Sequence, residues 1–216
     1  MTEMCSMDNS HMDNSHMDNP HIDNPYIDKP HIDKPYKGKL RTGTGLIHIY
    51  CGDGKGKTTA GMGLCVRAAG YGYKVVICQF MKDNTSSERN LLEQVKNITL
   101  LPGLSREKFS FRMTEEEKAE RRAFYNEQLK KAADCARETD AQVLFLDEAL
   151  YCIGAGLLSE DLLVDFLENK PDQLEVILTG QHPGERVLAL ADYVSEIKKV
   201  KHPFDWQQAA RDGIER

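Results

Sequence analysis

Between Cys51 and Gly63 the chain reads CGDGKGKTTAGMG, in which Gly52, Gly54 and Gly56 alternate with Asp53 and Lys55 and run into Lys57, Thr58 and Thr59. Residues of these types at this spacing make an anion cradle. Glycines let backbone N–H groups turn toward a phosphate, a lysine adds positive charge, and a threonine hydroxyl can ligate magnesium. The loop is one residue short: only Asp53, Gly54 and Lys55 separate Gly52 from Gly56-Lys57-Thr58, where the common pattern G-x-x-x-x-G-K-[ST] holds four. A second chemical feature lies in VLFLDE, where Asp147 and Glu148 follow four apolar residues. Magnesium keeps several waters and takes few protein carboxylates, so one or both of the pair would hold the metal, directly or through water. Structural use of acidic residues at a strand end is the alternative. Together these features describe a Mg-nucleotide site and leave its reaction open among a kinase, an ATPase motor and a nucleotide-driven switch.

Such a site needs a strand before the loop, a helix after it, and the carboxylates at the end of a neighbouring strand. The sequence supplies all three. LIHIY (Leu46 to Tyr50) and KVVICQF (Lys74 to Phe80) are short β-branched apolar runs, and Lys57 to Ala69 reads as a helix closed by Gly70 and Gly72, which makes a βαβ unit. Further strands are expected at Asn97 to Leu101, Gln142 to Glu148, Leu174 to Gly180 and Tyr193 to Ile197. Several are nearly continuous apolar runs, as parallel strands covered on both faces require. Helices are expected at Ser87 to Val95, Thr114 to Glu138, Ser159 to Glu168 and Gly184 to Ala191. In the longest, Tyr125, Leu129, Ala132 and Ala136 form the apolar stripe, and Thr114 with Glu117 forms a capping box. The order predicts an α/β fold with a mainly parallel six-stranded sheet flanked by helices, with its ligand at the carboxyl ends of the strands.

The chain has 216 residues, 40% hydrophobic and 29% charged, which fits one domain with a substantial core. A formal net charge of −6 gives no reason to expect nonspecific binding to nucleic acid or an anionic membrane. Neither a signal peptide nor an apolar run of about eighteen residues is present, so a cytoplasmic location is expected. The six cysteines show no C-x-x-C pair. Cys65 and Cys78, inside apolar segments, read as small buried hydrophobes. From Ser6 to Tyr36 the chain repeats every five residues (SMDNS, HMDNS, HMDNP, HIDNP, YIDKP, HIDKP), a period that fits neither helix nor strand. Residues 1–38 are therefore expected to be a disordered tail and 39–216 the folded domain, joined through the basic, glycine-containing stretch Lys37 to Gly45. Weak metal binding by the tail histidines His11, His16, His21 and His31 is the alternative to a solvated spacer.

The short loop GDGKGKTTA, RAAGYG (Arg67 to Gly72), QFMK (Gln79 to Lys82), LDEALY (Leu146 to Tyr151), LTG (Leu178 to Gly180) and ADYVSEIKKVKHPFDWQQAARDGIE near the C-terminus together resemble the P-loop family of ATP:corrinoid adenosyltransferases. The resemblance covers about Gly45 to Arg216. It implies a RecA-like P-loop fold, a homodimer, and transfer of the 5'-deoxyadenosyl group of ATP to the Co(I) centre of a corrinoid, cobalamin or a precursor, with triphosphate leaving. It also implies that the nucleotide lies in the reverse sense to that of ordinary P-loop enzymes. Co(I) is itself a strong nucleophile, so no acid or base is required, only in-line positioning and neutralisation of the departing charge. A P-loop ATPase or phosphotransferase is the alternative.

Carried onto this sequence, the resemblance assigns the loop from Gly52 through Gly54, Lys55, Gly56, Lys57, Thr58 and Thr59 to the phosphates. Lys57 and Thr58 are central to turnover, and Thr58 and Glu148, with Asp147 beside them, serve Mg2+. Asp53 stands where the family often has Asn and is expected to face the nucleoside. Arg67 would reach the nucleotide from the first helix or be an ordinary surface arginine. Phe109 and Phe111 in KFSFRM would form the corrinoid face or belong to the core. A small flavoprotein is the implied reductant. After LTG this chain has Gln181 where many relatives carry Arg. His182 and His202 are expected to be structural, with Asp205 and Trp206 fixing the C-terminal segment.

Overall fold

A computed structural model describes residues 43–104 and 113–215. The pentapeptide repeats and the pair Phe109 and Phe111 lie outside the described residues. Six strands, β1 (Ile47–Cys51), β2 (Val75–Gln79), β3 (Ile98–Leu100), β4 (Val143–Asp147), β5 (Glu175–Thr179) and β6 (Tyr193–Glu196), form one sheet in the order β3-β2-β4-β5-β1-β6. Every neighbouring pair is parallel. Around it lie α1 (Lys57–Tyr71), α2 (Arg89–Leu92), α3 (Glu115–Glu138), α4 (Ala149–Gly154), α5 (Glu160–Glu168) and α6 (Glu185–Leu190). The strand feeding the phosphate loop and the strand ending in Asp147 are separated by β5, the RecA-like arrangement of a P-loop sheet.

The pleat sorts each apolar run between two cores. Val76, Cys78, Leu144, Leu146, Val176 and Leu178 face α3 and α5, while Val75, Ile77, Val143, Phe145 and Ile177 face α1. That is why β2 and β4 are buried at every position and read as continuous rather than alternating runs. On one side the α3 stripe Tyr125, Leu129, Ala132 and Ala136 is buried as its spacing predicts. Each large side chain placed there contributes about 1.5–3 kcal/mol. On the other side α1 lies so close that a Cβ at Gly61 would run into the Phe145 ring. The glycine therefore sets the helix-to-sheet distance beneath the phosphate loop.

The capping box of α3 is present in both directions: Thr114 Oγ1 accepts from the Glu117 N–H at 3.2 Å and Glu117 Oε2 accepts from the Thr114 N–H at 2.8 Å. Two elements differ from the sequence expectation. The helix expected from Ser87 to Val95 is a single turn, Arg89–Leu92, continued by turns in which Gln94 and Val95 donate to carbonyls three residues back. The short helix α4 was not anticipated, because six residues directly after a strand end are too few to display a helical period. β6 is an edge strand paired with β1 alone, and all four of its side chains are exposed.

Candidate active site

The site forms where β1, β2, β4, β5 and β6 deliver their carboxyl ends to one edge. The chain leaves β1 through Gly52, whose φ of 100° is open to glycine at little cost. The Gly52 N–H donates to Gln181 O at 3.0 Å and the Gly54 N–H to Ile197 O at 2.8 Å. Both glycines press on the chain leaving β6. A Cβ on Gly52 would collide with Ile197 O, and one on Gly54 would stand 2.8 Å from the same atom. Two of the glycines expected to offer amides to an anion therefore have those amides engaged, and the backbone N–H groups that can face a phosphate begin at Lys55. Asp53, expected near the nucleoside, accepts the Lys199 N–H on Oδ1 at 2.9 Å. That bond first of all holds its carboxyl below the usual range.

Gly56, at φ 118°, caps α1, so Lys57 and Thr58 open the helix and lie at the positive end of its dipole. Lys57 Nζ donates to Gly54 O at 2.8 Å, which holds the ammonium over its own loop. Lys55 and Thr59 are exposed. Arg67 lies on the exposed face of α1, nearly three turns from the start of the helix.

Asp147 is fully buried, and both of its oxygens are committed. Oδ1 accepts the hydroxyls of Thr58 at 2.8 Å and Thr179 at 2.7 Å; Oδ2 faces Lys82 Nζ at 2.9 Å and Gln79 Nε2 at 3.4 Å. Four donors on one carboxylate leave no lone pair for a metal. Its direct partner Thr58 has its proton drawn toward Oδ1, which turns the hydroxyl lone pairs outward. Lys82 reaches the carboxylate because Met81 adopts a left-handed conformation (φ 54°), its N–H held by Tyr125 Oη at 3.0 Å. Burial pulls the Lys82 ammonium down, but the charge and hydrogen bond of Asp147 outweigh it and hold the pKa above its ordinary value.

Glu148 behaves differently. Its backbone is left-handed (φ 61°), its N–H donates to Thr179 Oγ1 at 2.7 Å, and its carboxylate has no partner among the described residues. Burial, then the adjacent Asp147 charge, push this carboxyl up, with Lys57 and Lys82 partly offsetting them. A left-handed non-glycine residue at a strand end is strained backbone of the kind that active sites retain. Thus the Asp-Glu pair, left open by the sequence, divides into a buried hydrogen-bond hub and a free carboxylate.

The sequence reading did not single out Gln79, Lys82 or Thr179 for chemistry. Lys82 stands three residues past the end of β2, and only the β2–β4 register, which sets Gln79 opposite Asp147, shows what it meets. His182 is exposed. His202 Nδ1 accepts the Phe204 N–H at 3.1 Å and so caps a short 3-10 turn, Pro203–Trp206. Asp205 pairs with Lys199 Nζ at 3.0 Å, and the Lys201 ammonium lies 5.2 Å from the Trp206 ring centroid. Beside the start of α3 a cavity of about 310 Å³ is lined by Leu104, Met113, Glu117, Glu120, Arg121 and Phe124.

A parallel sheet with a lysine-threonine phosphate loop facing a buried aspartate defines a P-loop nucleotide-binding protein. Residues 43–216 match the family model described as ATP:corrinoid adenosyltransferase BtuR/CobO/CobP. The corrinoid adenosyltransferase of Escherichia coli K12 is 35% identical over 174 residues, which cover 79% of this chain and 85% of that protein. Corrinoid adenosyltransferase CobA of Salmonella typhimurium is 34% identical over the same shares, and the corrinoid adenosyltransferase of a Sinorhizobium species is 31% identical over 178 residues, 79% of this chain and 80% of that one. Among solved structures, the KaiC-like protein PH0186 of Pyrococcus horikoshii OT3 superposes with a TM-score of 0.45 at 15% identity, over 73% of this chain and 74% of that one. The chain belongs to the ATP:corrinoid adenosyltransferase family.

Proposed function

We infer that this protein is an enzyme that transfers the 5'-deoxyadenosyl group of ATP to the Co(I) centre of a corrinoid. The Co–C bond forms as the C5'–O bond breaks, and triphosphate departs with the bonding electron pair. The observation that carries this reading is the family match, which spans the whole described domain. The site is consistent with it. The cobalt supplies the nucleophile, so the enzyme has to bind, align and neutralise, and the groups at the loop do this without an acid or base.

In this reading the amides from Lys55 to Thr59 and the Lys57 ammonium receive the triphosphate. Lys57 exchanges Gly54 O for a phosphate oxygen. Thr58 and the unpartnered Glu148 would hold Mg2+, and Asp147 acts behind them by orienting the Thr58 hydroxyl. Magnesium bound there supplies charge neutralisation on the leaving triphosphate. Arg67 serves the distal part of the nucleotide, and Phe109 and Phe111 the corrinoid. The cavity at Leu104, Met113 and Phe124 supports a corrinoid approach from that side.

A homodimer, a flavoprotein reductant and a cytoplasmic location complete the proposal. The exposed Val200, Phe204 and Trp206 support association with a partner. Among the described residues no two cysteines form a disulfide and no helix is long and apolar enough to cross a membrane, both in keeping with the location. The family match begins at residue 43, which supports a boundary near residue 39 between the repeat tail and the enzyme domain.

The test is incubation of the full chain with Mg-ATP and chemically reduced corrinoid. A light-sensitive Co–C bond and free triphosphate are expected. ADP and phosphate as the only products would instead identify a hydrolase or phosphotransferase.

A further inference from the structure

Three fastenings hold the first half of the phosphate loop to neighbouring chain. Two are backbone bonds, Gly52 N–H to Gln181 O and Gly54 N–H to Ile197 O. The third is a side chain: the exposed Asp53 accepts the Lys199 N–H across 146 residues of sequence. The segment so fastened continues past the loop. Lys199 pairs with Asp205, Lys201 lies over Trp206, and the terminal turn is closed by Arg211 clasping Glu215 at 2.8 Å. The Glu215 carboxyl is held down first of all by its hydrogen bonds with Arg211, and only last by the charge of Lys55 in the loop. The loop and the segment are therefore fastened where the chain leaves β6, at Ile197 and Lys199, and among the described residues Asp53 supplies the side-chain bond there.

We propose that Asp53 is a positioning residue for the triphosphate. Its carboxylate locks the Ile197–Lys199 backbone against the short loop, so that the amides from Lys55 onward are held ready for the anion, and anion binding in turn steadies residues 199–215. A loop that lacks one residue has fewer internal contacts to fix its shape, and here the outgoing chain from β6 fixes it from outside. What Asp53 must supply is an acceptor oxygen, which an amide also offers. Because coupling between two sites is reciprocal, whatever loosens the segment weakens the anion and whatever binds the anion tightens the segment. This inference rests on the triphosphate assignment made above.

The experiment uses the full chain, its D53A and D53N variants, and Mg-tripolyphosphate as the probe. Calorimetry gives tripolyphosphate affinity, hydrogen exchange reports residues 199–215, and steady-state kinetics separate the KM values for ATP and corrinoid. D53A is expected to weaken tripolyphosphate and raise the KM for ATP by roughly 3- to 10-fold, the loss of about one hydrogen bond, with kcat and the corrinoid KM within about twofold. D53N, which keeps the acceptor, recovers most of that loss. In the parent protein tripolyphosphate slows exchange over 199–215, and in D53A it does not.

Three results would overturn the proposal. Weakened ATP with unchanged tripolyphosphate would place Asp53 on the nucleoside. D53N as impaired as D53A would make charge the requirement, and exchange indifferent to tripolyphosphate would remove the coupling. The binding and exchange measurements need no corrinoid. If they come out as expected while no Co–C bond ever forms, the reaction assignment fails and the role of Asp53 stands.

Discussion

Replacing Lys82 by Met tests the buried hub directly. Lys82 Nζ lies 2.9 Å from Asp147 Oδ2, with 26% of the lysine side chain exposed and none of the aspartate. At an effective dielectric of about 20, unit charges at that distance attract by roughly 6 kcal/mol, most of which is offset by desolvation. Removing one partner of a fully buried pair costs about 3–5 kcal/mol. Here the lysine is partly solvated, and the carboxylate keeps Thr58, Thr179 and Gln79 as donors. The expected loss is therefore about 2–3 kcal/mol, or a fall in Tm of roughly 5–10 °C for a domain of this size.

The assay is urea and thermal unfolding of the parent protein, K82M, D147N and the double variant. The cycle matters because Lys82 also approaches Glu88 at 3.5 Å, and only the Lys82–Asp147 coupling isolates the hub. A coupling of about 1.5–3 kcal/mol is expected. A value below about 0.5 kcal/mol would mean that Thr58, Thr179 and Gln79 alone carry the carboxylate, and the part given to Lys82 in the hub would be refuted.

Two further substitutions test other links. E148Q removes the free carboxylate, so Mn2+ affinity in the presence of nucleotide, read by electron paramagnetic resonance, should drop about 10- to 100-fold, with adenosyl transfer falling in parallel and a chelator abolishing it in the parent. If D147N shows that loss and E148Q does not, the two roles are reversed. At the opposite end of the sheet Glu175 takes the Gly45 and Leu46 N–H groups at 2.5 and 2.7 Å and His48 Nε2 at 2.5 Å. Burial pushes its carboxyl up, yet the His48 and backbone hydrogen bonds prevail and hold it below its ordinary 4.5. A depressed carboxyl stabilises the fold above its unfolded pKa and loses that contribution as pH falls through the folded one. The Tm difference between parent and E175Q should therefore shrink as the pH falls below about 4.5; a difference that persists unchanged at low pH would refute the linkage.

Most of the architecture could be read from the sequence because parallel strands buried on both faces leave continuous runs such as VVICQ and VLFLD, and because the capping box of α3 is local chemistry. The phosphate loop was legible for the same reason: its glycines, lysine and threonine are contiguous. What escaped depends on partners far away in sequence. Asp53 meets Lys199 only after β6 has been laid beside β1, and Lys82 meets Asp147 only after β2 has been paired with β4. Gly52 and Gly54 were read as phosphate donors, whereas the atom that forbids a side chain at either is the carbonyl of Ile197. Helix α4 failed to register because six residues carry too little periodicity.

The open margins of the sheet have a bearing on how the protein behaves in a crowded, partly unfolded population. One margin, β3, has only three residues and offers little to template another chain. The other, β6, is longer and carries the exposed Tyr193 and Val194, the sort of ribbon on which foreign strands accrete. The strand ends on Glu196 and the sequence beyond it turns to Lys198, Lys199 and Lys201, charges that penalise an incoming strand at the position where pairing would propagate. The lysines that follow β6 therefore act as gatekeepers, Lys199 also pairing through its ammonium with Asp205 and through its backbone N–H with Asp53, and neutralising them should cost solubility before it costs the fold.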